Sequence, residues 1–138
     1  MKRRVLLGVA AATAVLPAPM LHAQASVPRV AVIGGGFAGA SCARVLKKAQ
    51  PRIAVTLVEP NAVFHACPMS NAVIAGLREM EQQRFGYEAV RADGVTLAPL
   101  AATAIDPVAR RVVLSDGTRL NYDRLVLAPG IDIRWDVL

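Results

Sequence analysis

Apolar and polar positions along the chain alternate in blocks that read as strand, helix, strand. Val30-Ala31-Val32-Ile33 is a short unbroken apolar run, the pattern of a strand buried on both faces of a parallel sheet. A glycine cluster follows at once. From Ala38 to Ala49, apolar or small residues recur at Ala40, Ala43, Val45, Leu46 and Ala49, while Arg44, Lys47 and Lys48 fall on the opposite face. That spacing predicts a helix ending near Gln50-Pro51, with Cys42 a small core residue facing the sheet. Ile53 to Val58 predicts a second strand and Val95-Thr96-Leu97 a third, parallel to the first two. Between them the pattern is mixed: a loop through Pro68, a helical turn from Asn71 to Leu77, and a polar stretch with Glu79, Glu81, Gln82, Gln83 and Arg84.

After Leu97 the period changes. Ala101 to Ile105, Arg111 to Leu114 and Arg119 to Tyr122 are short runs separated by the turn signals Asp106-Pro107 and Ser115-Asp116-Gly117, which predicts a three-stranded antiparallel meander. Leu125-Val126-Leu127-Ala128 returns to a continuous apolar strand that ends at Pro129-Gly130. The fold class expected is therefore α/β, Rossmann-like, with a parallel sheet and an antiparallel meander.

Residues 1–25 have a different character. A basic start (Lys2, Arg3, Arg4) leads into an apolar stretch from Val5 to Leu16, then Pro17, Pro19 and the small-residue site Ala23-Gln24-Ala25. This is the layout of a secretory signal cleaved after Ala25, leaving 26–138 as the mature chain and placing it in the periplasm. The apolar run is about a dozen residues, short of the roughly 20 that span a bilayer, so stable membrane insertion is not expected. Arg3-Arg4 before Val5-Leu6-Leu7 also matches a twin-arginine signal, a route for proteins that fold around a cofactor before export.

The export segment alters how the charge is read. The 138 residues carry a formal net charge of +6, but Lys2, Arg3 and Arg4 are three of the 16 Lys and Arg, leaving thirteen bases against 10 acids. With 4% aromatic residues and no basic run longer than Arg110-Arg111, the remainder is a poor nucleic-acid footprint. Two cysteines and 54% hydrophobic residues exclude a disulfide-stapled scaffold. His22 leaves with the signal, so His65 alone makes no metal site.

Gly34-Gly35-Gly36-Phe37-Ala38-Gly39 satisfies G-x-G-x-x-G immediately after a buried-type strand and at the opening of a helix. In that context Gly34 makes a tight turn, Gly36 lets the backbone approach a pyrophosphate, and Gly39 lets the helix pack on the strand. The phosphates would meet free N–H groups and the positive end of the helix, at Phe37, Ala38 and Gly39. Glu59, directly after Thr56-Leu57-Val58, stands where an acid accepts hydrogen bonds from the adenosine ribose hydroxyls, and its charge disfavours a 2′-phosphate. The competing reading is a flexible glycine turn that binds nothing. The loop alone does not separate NAD from FAD.

The meander and the closing strand help to choose. The arrangement resembles the FAD domain of flavoproteins with two dinucleotide-binding domains, in which Leu120 to Gly130 looks like the second FAD signature. Ala128-Pro129-Gly130 is similar to its Ala-Thr-Gly ending, with Pro129 in place of Thr. Glu59-Pro60-Asn61, Cys67 to Ile74 and Phe85-Gly86-Tyr87 look more closely like the flavoprotein subunit of flavocytochrome c sulfide dehydrogenase, a resemblance that runs from about Arg29 to Asp136. It implies that Cys67 carries FAD through a thioether to the flavin's 8α carbon. Ala66 stands where that family usually has Thr, and His65 where it has an aromatic.

The resemblance further implies that sulfide reduces FAD through a redox disulfide and that electrons leave singly through a c-type cytochrome subunit. The disulfide cysteines, the second nucleotide domain and the closing Gly-Asp segment of that family have no counterpart here. The chain is therefore expected to be the incomplete N-terminal part of a longer flavoprotein, without sulfide turnover on its own. A Cys42–Cys67 disulfide would compete with flavin attachment and is disfavoured. An NADH-dependent FAD oxidoreductase of the same fold explains the glycine loop, Glu59 and the Leu120 to Gly130 strand equally well, but not the export signal or Cys67. A truncated exported module without activity is the remaining alternative.

Overall fold

The computed structural model describes residues 26–131 and 134–137, and the expected export signal lies outside them. Strand β1 (Arg29–Ile33) leads through the glycine cluster into helix α1 (Phe37–Ala49) and strand β2 (Ala54–Val58). A two-residue strand β3 (Phe64–His65), a short helix α2 (Ser70–Ile74), a 3-10 turn over Met80–Gln83, a second two-residue strand β4 (Arg84–Phe85) and helix α3 (Glu88–Ala92) make up the next crossover. Strands β5 (Thr96–Ala98), β6 (Ala102–Asp106), β7 (Arg111–Leu114), β8 (Arg119–Asn121) and β9 (Arg124–Leu127) follow, with a 3-10 turn at Trp135–Val137.

The main sheet is parallel, in the order β5-β2-β1-β9, with Val30 opposite both Val55 and Arg124. The meander β6-β7-β8 is antiparallel. This is the expected α/β architecture, parallel sheet and meander included.

Burial on both faces of β1 explains its unbroken apolar run. Val30 and Val32 pack with Ala43 of α1, Val55, Leu57, Tyr87, Val90 and Val95 on one side. Ala31, one residue out of phase, packs with Val58 of β2, Val112 and Leu114 of the meander, and Tyr122 just past it on the other. Successive side chains of a strand point to opposite faces, so a strand between two layers has no position left for a polar residue.

Three expectations need adjusting. On α1 the buried positions are Gly39 and Ala43, flanked by Ala40 and Leu46, whereas Val45 is 64% exposed and Cys42 only half-buried. The short Ala-rich side chains draw α1 close over a narrow stripe, and a residue two positions from Ala43 falls outside it. The turn expected over 71–77 is the shorter α2. It is stopped at Gly76, whose φ of +70° lets Leu77 N–H reach the Ala72 carbonyl at 2.9 Å and Gly76 N–H the Val73 carbonyl at 3.0 Å. Finally, the region 60–94 contains a small antiparallel pairing, Phe64 opposite Phe85 and His65 opposite Arg84, which its mixed pattern does not reveal. Among the described residues no helix is long and apolar enough to cross a membrane.

Candidate functional site

The glycine loop sits where β1 ends, between β2 and β9. Gly34 donates to the Val58 carbonyl at 2.9 Å and has φ +97°, and a Cβ there would run into the Ala128 carbonyl. A Cβ on Gly39 would run into the Gly34 carbonyl, so Gly39 is what allows α1 to seat on the end of β1. Gly36 is different. A Cβ built on it meets only the Phe64 ring, at 3.6 Å, an ordinary contact. The protein by itself does not require glycine there, and the bare backbone faces a cavity instead.

That cavity has a volume of about 740 Å³, within the range of small-molecule and cofactor sites. It is lined by Gly34, Gly36, Phe37 and Ala38 of the glycine loop and first helical turn, by Glu59 and Cys67, and by Ala128, Pro129 and Gly130. Nine of the ten residues expected at the site thus meet in one space, and the tenth, Gly39, lies beneath the loop as a packing residue. The first turn of α1 has neither an acidic residue nor a capping side chain at Gly36, so its N–H groups and dipole are left for an anion. Ala128 is tied in by its N–H, which donates to the Ile33 carbonyl at 2.8 Å.

Glu59 is held before any ligand arrives. Its Oε2 accepts from Gly35 N–H at 2.7 Å, and its Oε1 accepts from Asn61 N–H at 2.9 Å and from Asn61 Nδ2 at 2.8 Å. A carboxylate offers about four acceptor directions, and with three taken one remains for a ribose hydroxyl. Sequence reasoning missed Asn61 as a site residue; it enters there only within the Glu59-Pro60-Asn61 run.

Cys67 is an exposed free thiol. Beneath its loop lies Gln83, 3% exposed. The neighbours of the Gln83 amide dictate its orientation: its nitrogen donates to the Pro68 carbonyl at 3.0 Å and the Ala66 carbonyl at 3.2 Å, and its oxygen accepts from Arg78 Nε at 2.9 Å. Ala66 N–H in turn donates to the Gln83 backbone carbonyl at 2.9 Å. Both residues flanking Cys67 are therefore fastened to one buried side chain. Nothing in the polar run around Gln83 distinguishes it from its solvated neighbours.

Tyr87 is the other residue whose role the sequence leaves unassigned. It is 5% exposed, lines the cavity, and donates from its hydroxyl to the Gly35 carbonyl at 3.0 Å. Burial, and secondly the charge of Glu59, push its hydroxyl up to about 12. Phe37 and Phe64 meet edge to face at 4.9 Å beside the loop.

Comparison with known proteins agrees with this geometry. Residues 28–135 match the family model described as pyridine nucleotide-disulphide oxidoreductase. The chain is 62% identical over 45 residues to the sulfide dehydrogenase [flavocytochrome c] flavoprotein chain of Chlorobaculum thiosulfatiphilum, a match that covers 33% of this chain and 94% of that one. It is 37% identical over 109 residues to ferroptosis suppressor protein 1 of Taeniopygia guttata, covering 75% of this chain and 27% of that one. The structure of the sulfide:quinone oxidoreductase from Aquifex aeolicus superposes with a TM-score of 0.73 at 27% identity, over 79% of this chain and 26% of that one. The chain thus spans about a quarter of the length of the last two proteins.

Proposed function

The chain belongs to the pyridine nucleotide-disulphide oxidoreductase family, and from that membership we propose that it is the FAD-binding part of an exported sulfide-oxidising flavoprotein that passes electrons to a c-type cytochrome. The observation that carries the reading is the single cavity in which the glycine loop, Glu59, Cys67 and Ala128–Gly130 meet. The residues present fit the cofactor: Gly36 leaves backbone bare where a pyrophosphate needs to approach, and Glu59 offers its remaining acceptor direction to a ribose hydroxyl.

Each residue has a distinct task in this reading. Gly34 and Gly39 let α1 seat on β1, aiming its uncapped N–H groups into the cavity. Glu59, pinned by Gly35 and Asn61, recognises the ribose and repels a 2′-phosphate. Ala128, Pro129 and Gly130 line the cavity after β9. Cys67 is the thioether attachment point, held at the cavity by the Gln83 clamp. FAD, once bound, supplies acceptance of an electron pair from a sulfur substrate and release of single electrons. Export is supported by the layout of residues 1–25, and a covalent link suits a compartment where a lost flavin is not readily replaced.

Acid precipitation of the flavin-loaded full-length protein tests the central claim. Flavin absorbance should stay with the polypeptide and should move to the supernatant in Cys67→Ala. Release from the unmodified protein would overturn covalent attachment, leaving a non-covalent FAD domain. Cleavage after Ala25 is checked separately, by finding Ser26 at the N-terminus of the exported product.

A further inference from the structure

Gly35 lies between Glu59 and Tyr87. Its N–H donates to Glu59 Oε2 at 2.7 Å, and its carbonyl accepts from the Tyr87 hydroxyl at 3.0 Å. A Cβ on Gly35 would meet the Tyr87 hydroxyl at 2.5 Å and Glu59 Cγ at 2.7 Å, so the three groups crowd one point. Glycine has the widest backbone freedom of any residue, and both polar ends of this one are fixed by distant side chains, from the residue that follows β2 and the residue that precedes α3. Glu59 is steadied on its other oxygen by Asn61. Its Oε2 therefore depends on Gly35, and the orientation of Gly35 depends on Tyr87.

We infer that Tyr87 is a positioning residue for ribose recognition, holding Gly35 so that the Glu59 carboxylate is fixed before the adenosine diol arrives. This rests on the nucleotide-binding reading of the cavity and adds a residue that acts through Gly35. Because burial and the Glu59 charge raise the Tyr87 hydroxyl to about 12, it stays a donor throughout the range in which the protein is handled. Without that hydroxyl the buried Gly35 carbonyl has no partner, Gly35 turns, and Glu59 Oε2 loses its donor.

The test compares two nucleotides on the full chain: ADP, and 2′,3′-dideoxy-ADP, which keeps the phosphates and base but lacks the diol. Tyr87→Phe should weaken ADP binding roughly three- to tenfold, the range of one hydrogen bond, and leave the dideoxy analogue unchanged. Equal weakening of both would make Tyr87 a support of the loop as a whole, and no weakening would make its hydroxyl irrelevant; either result overturns the inference. Failure of the wild-type chain to bind either nucleotide would instead remove the cavity reading itself, and this inference with it. A measurement on the wild-type chain is independent of how the variant folds: the Gly35 amide should be protected from hydrogen exchange before nucleotide is added. Exchange at the rate of an open loop also overturns the proposal.

Discussion

Arg29 and Asp123 tie the first residue of β1 to the residue that precedes β9. Arg29 N–H donates to Asp123 Oδ2 at 2.7 Å, its guanidinium reaches both carboxylate oxygens at 3.3 and 3.2 Å, and Asp123 N–H donates back to the Arg29 carbonyl at 2.8 Å. The strands that carry the glycine loop and the Ala128–Gly130 segment are thus clamped in register at their far ends. The side-chain and backbone bonds from Arg29 hold the Asp123 carboxyl below its ordinary value of 3.8. A carboxyl lowered on folding contributes stability that is fully present above the unfolded value and is lost as pH falls through the folded one. Asp93, lowered chiefly by Arg44, and Asp116, lowered by Thr118, act in the same direction. Stability measured by urea titration should therefore be level above about pH 5 and fall below about pH 4. Asp123→Asn should flatten part of that fall, and an unchanged acid limb would show that this clamp is not formed in solution.

The loop glycines should divide into two classes. Gly39→Ala drives a methyl into the Gly34 carbonyl and forces α1 off β1, at a cost of about 1–3 kcal/mol and the loss of nucleotide binding. Gly36→Ala places its methyl in ordinary contact with the Phe64 ring, at a φ of -68° that any residue adopts. Its unfolding free energy should stay within about 1 kcal/mol of wild type while ADP binding falls tenfold or more. Calorimetric melting beside ADP titration separates the two, and Gly36→Ala binding as well as wild type would remove the pyrophosphate from that loop.

Glu59→Gln keeps an oxygen for Gly35 N–H but removes the charge that a ribose diol meets. Affinity for ADP should fall on the order of tenfold, as expected for hydrogen bonds to a charged acceptor, and the melting temperature should fall as well, because the amide nitrogen faces the two Asn61 donors. Undiminished affinity would place the ribose elsewhere in the cavity.

Gln83→Leu preserves volume and removes the clamp. The Ala66 and Pro68 carbonyls and Arg78 Nε lose their partner, which should cost about 1–3 kcal/mol. Cys67 should then be alkylated at a different rate from wild type, because both residues beside it are released. A lower urea midpoint with an unaltered alkylation rate would confine Gln83 to a structural role.

What the sequence by itself determined lies close together along the chain. The buried-type run Val30–Ile33, the G-x-G-x-x-G turn, Glu59 at the end of the second strand and the turn-punctuated meander all appear where their local patterns place them. Each rests on a period or a turn chemistry that a few adjacent residues express. The family resemblance brought in Cys67 by its neighbours. Only the tertiary structure decided which residues hold these in place. Tyr87 reaches Gly35 across 52 positions, Gln83 sits under a loop 16 residues earlier, and Phe64–His65 finds Arg84–Phe85 to make a two-residue pairing. Such contacts have no period, because a buried amide or hydroxyl is selected by the single backbone group it must satisfy, and chain folding alone brings that group into reach. For the same reason Val45 and Cys42, which the helical pattern places inward, fall outside the narrow stripe along which α1 meets the sheet.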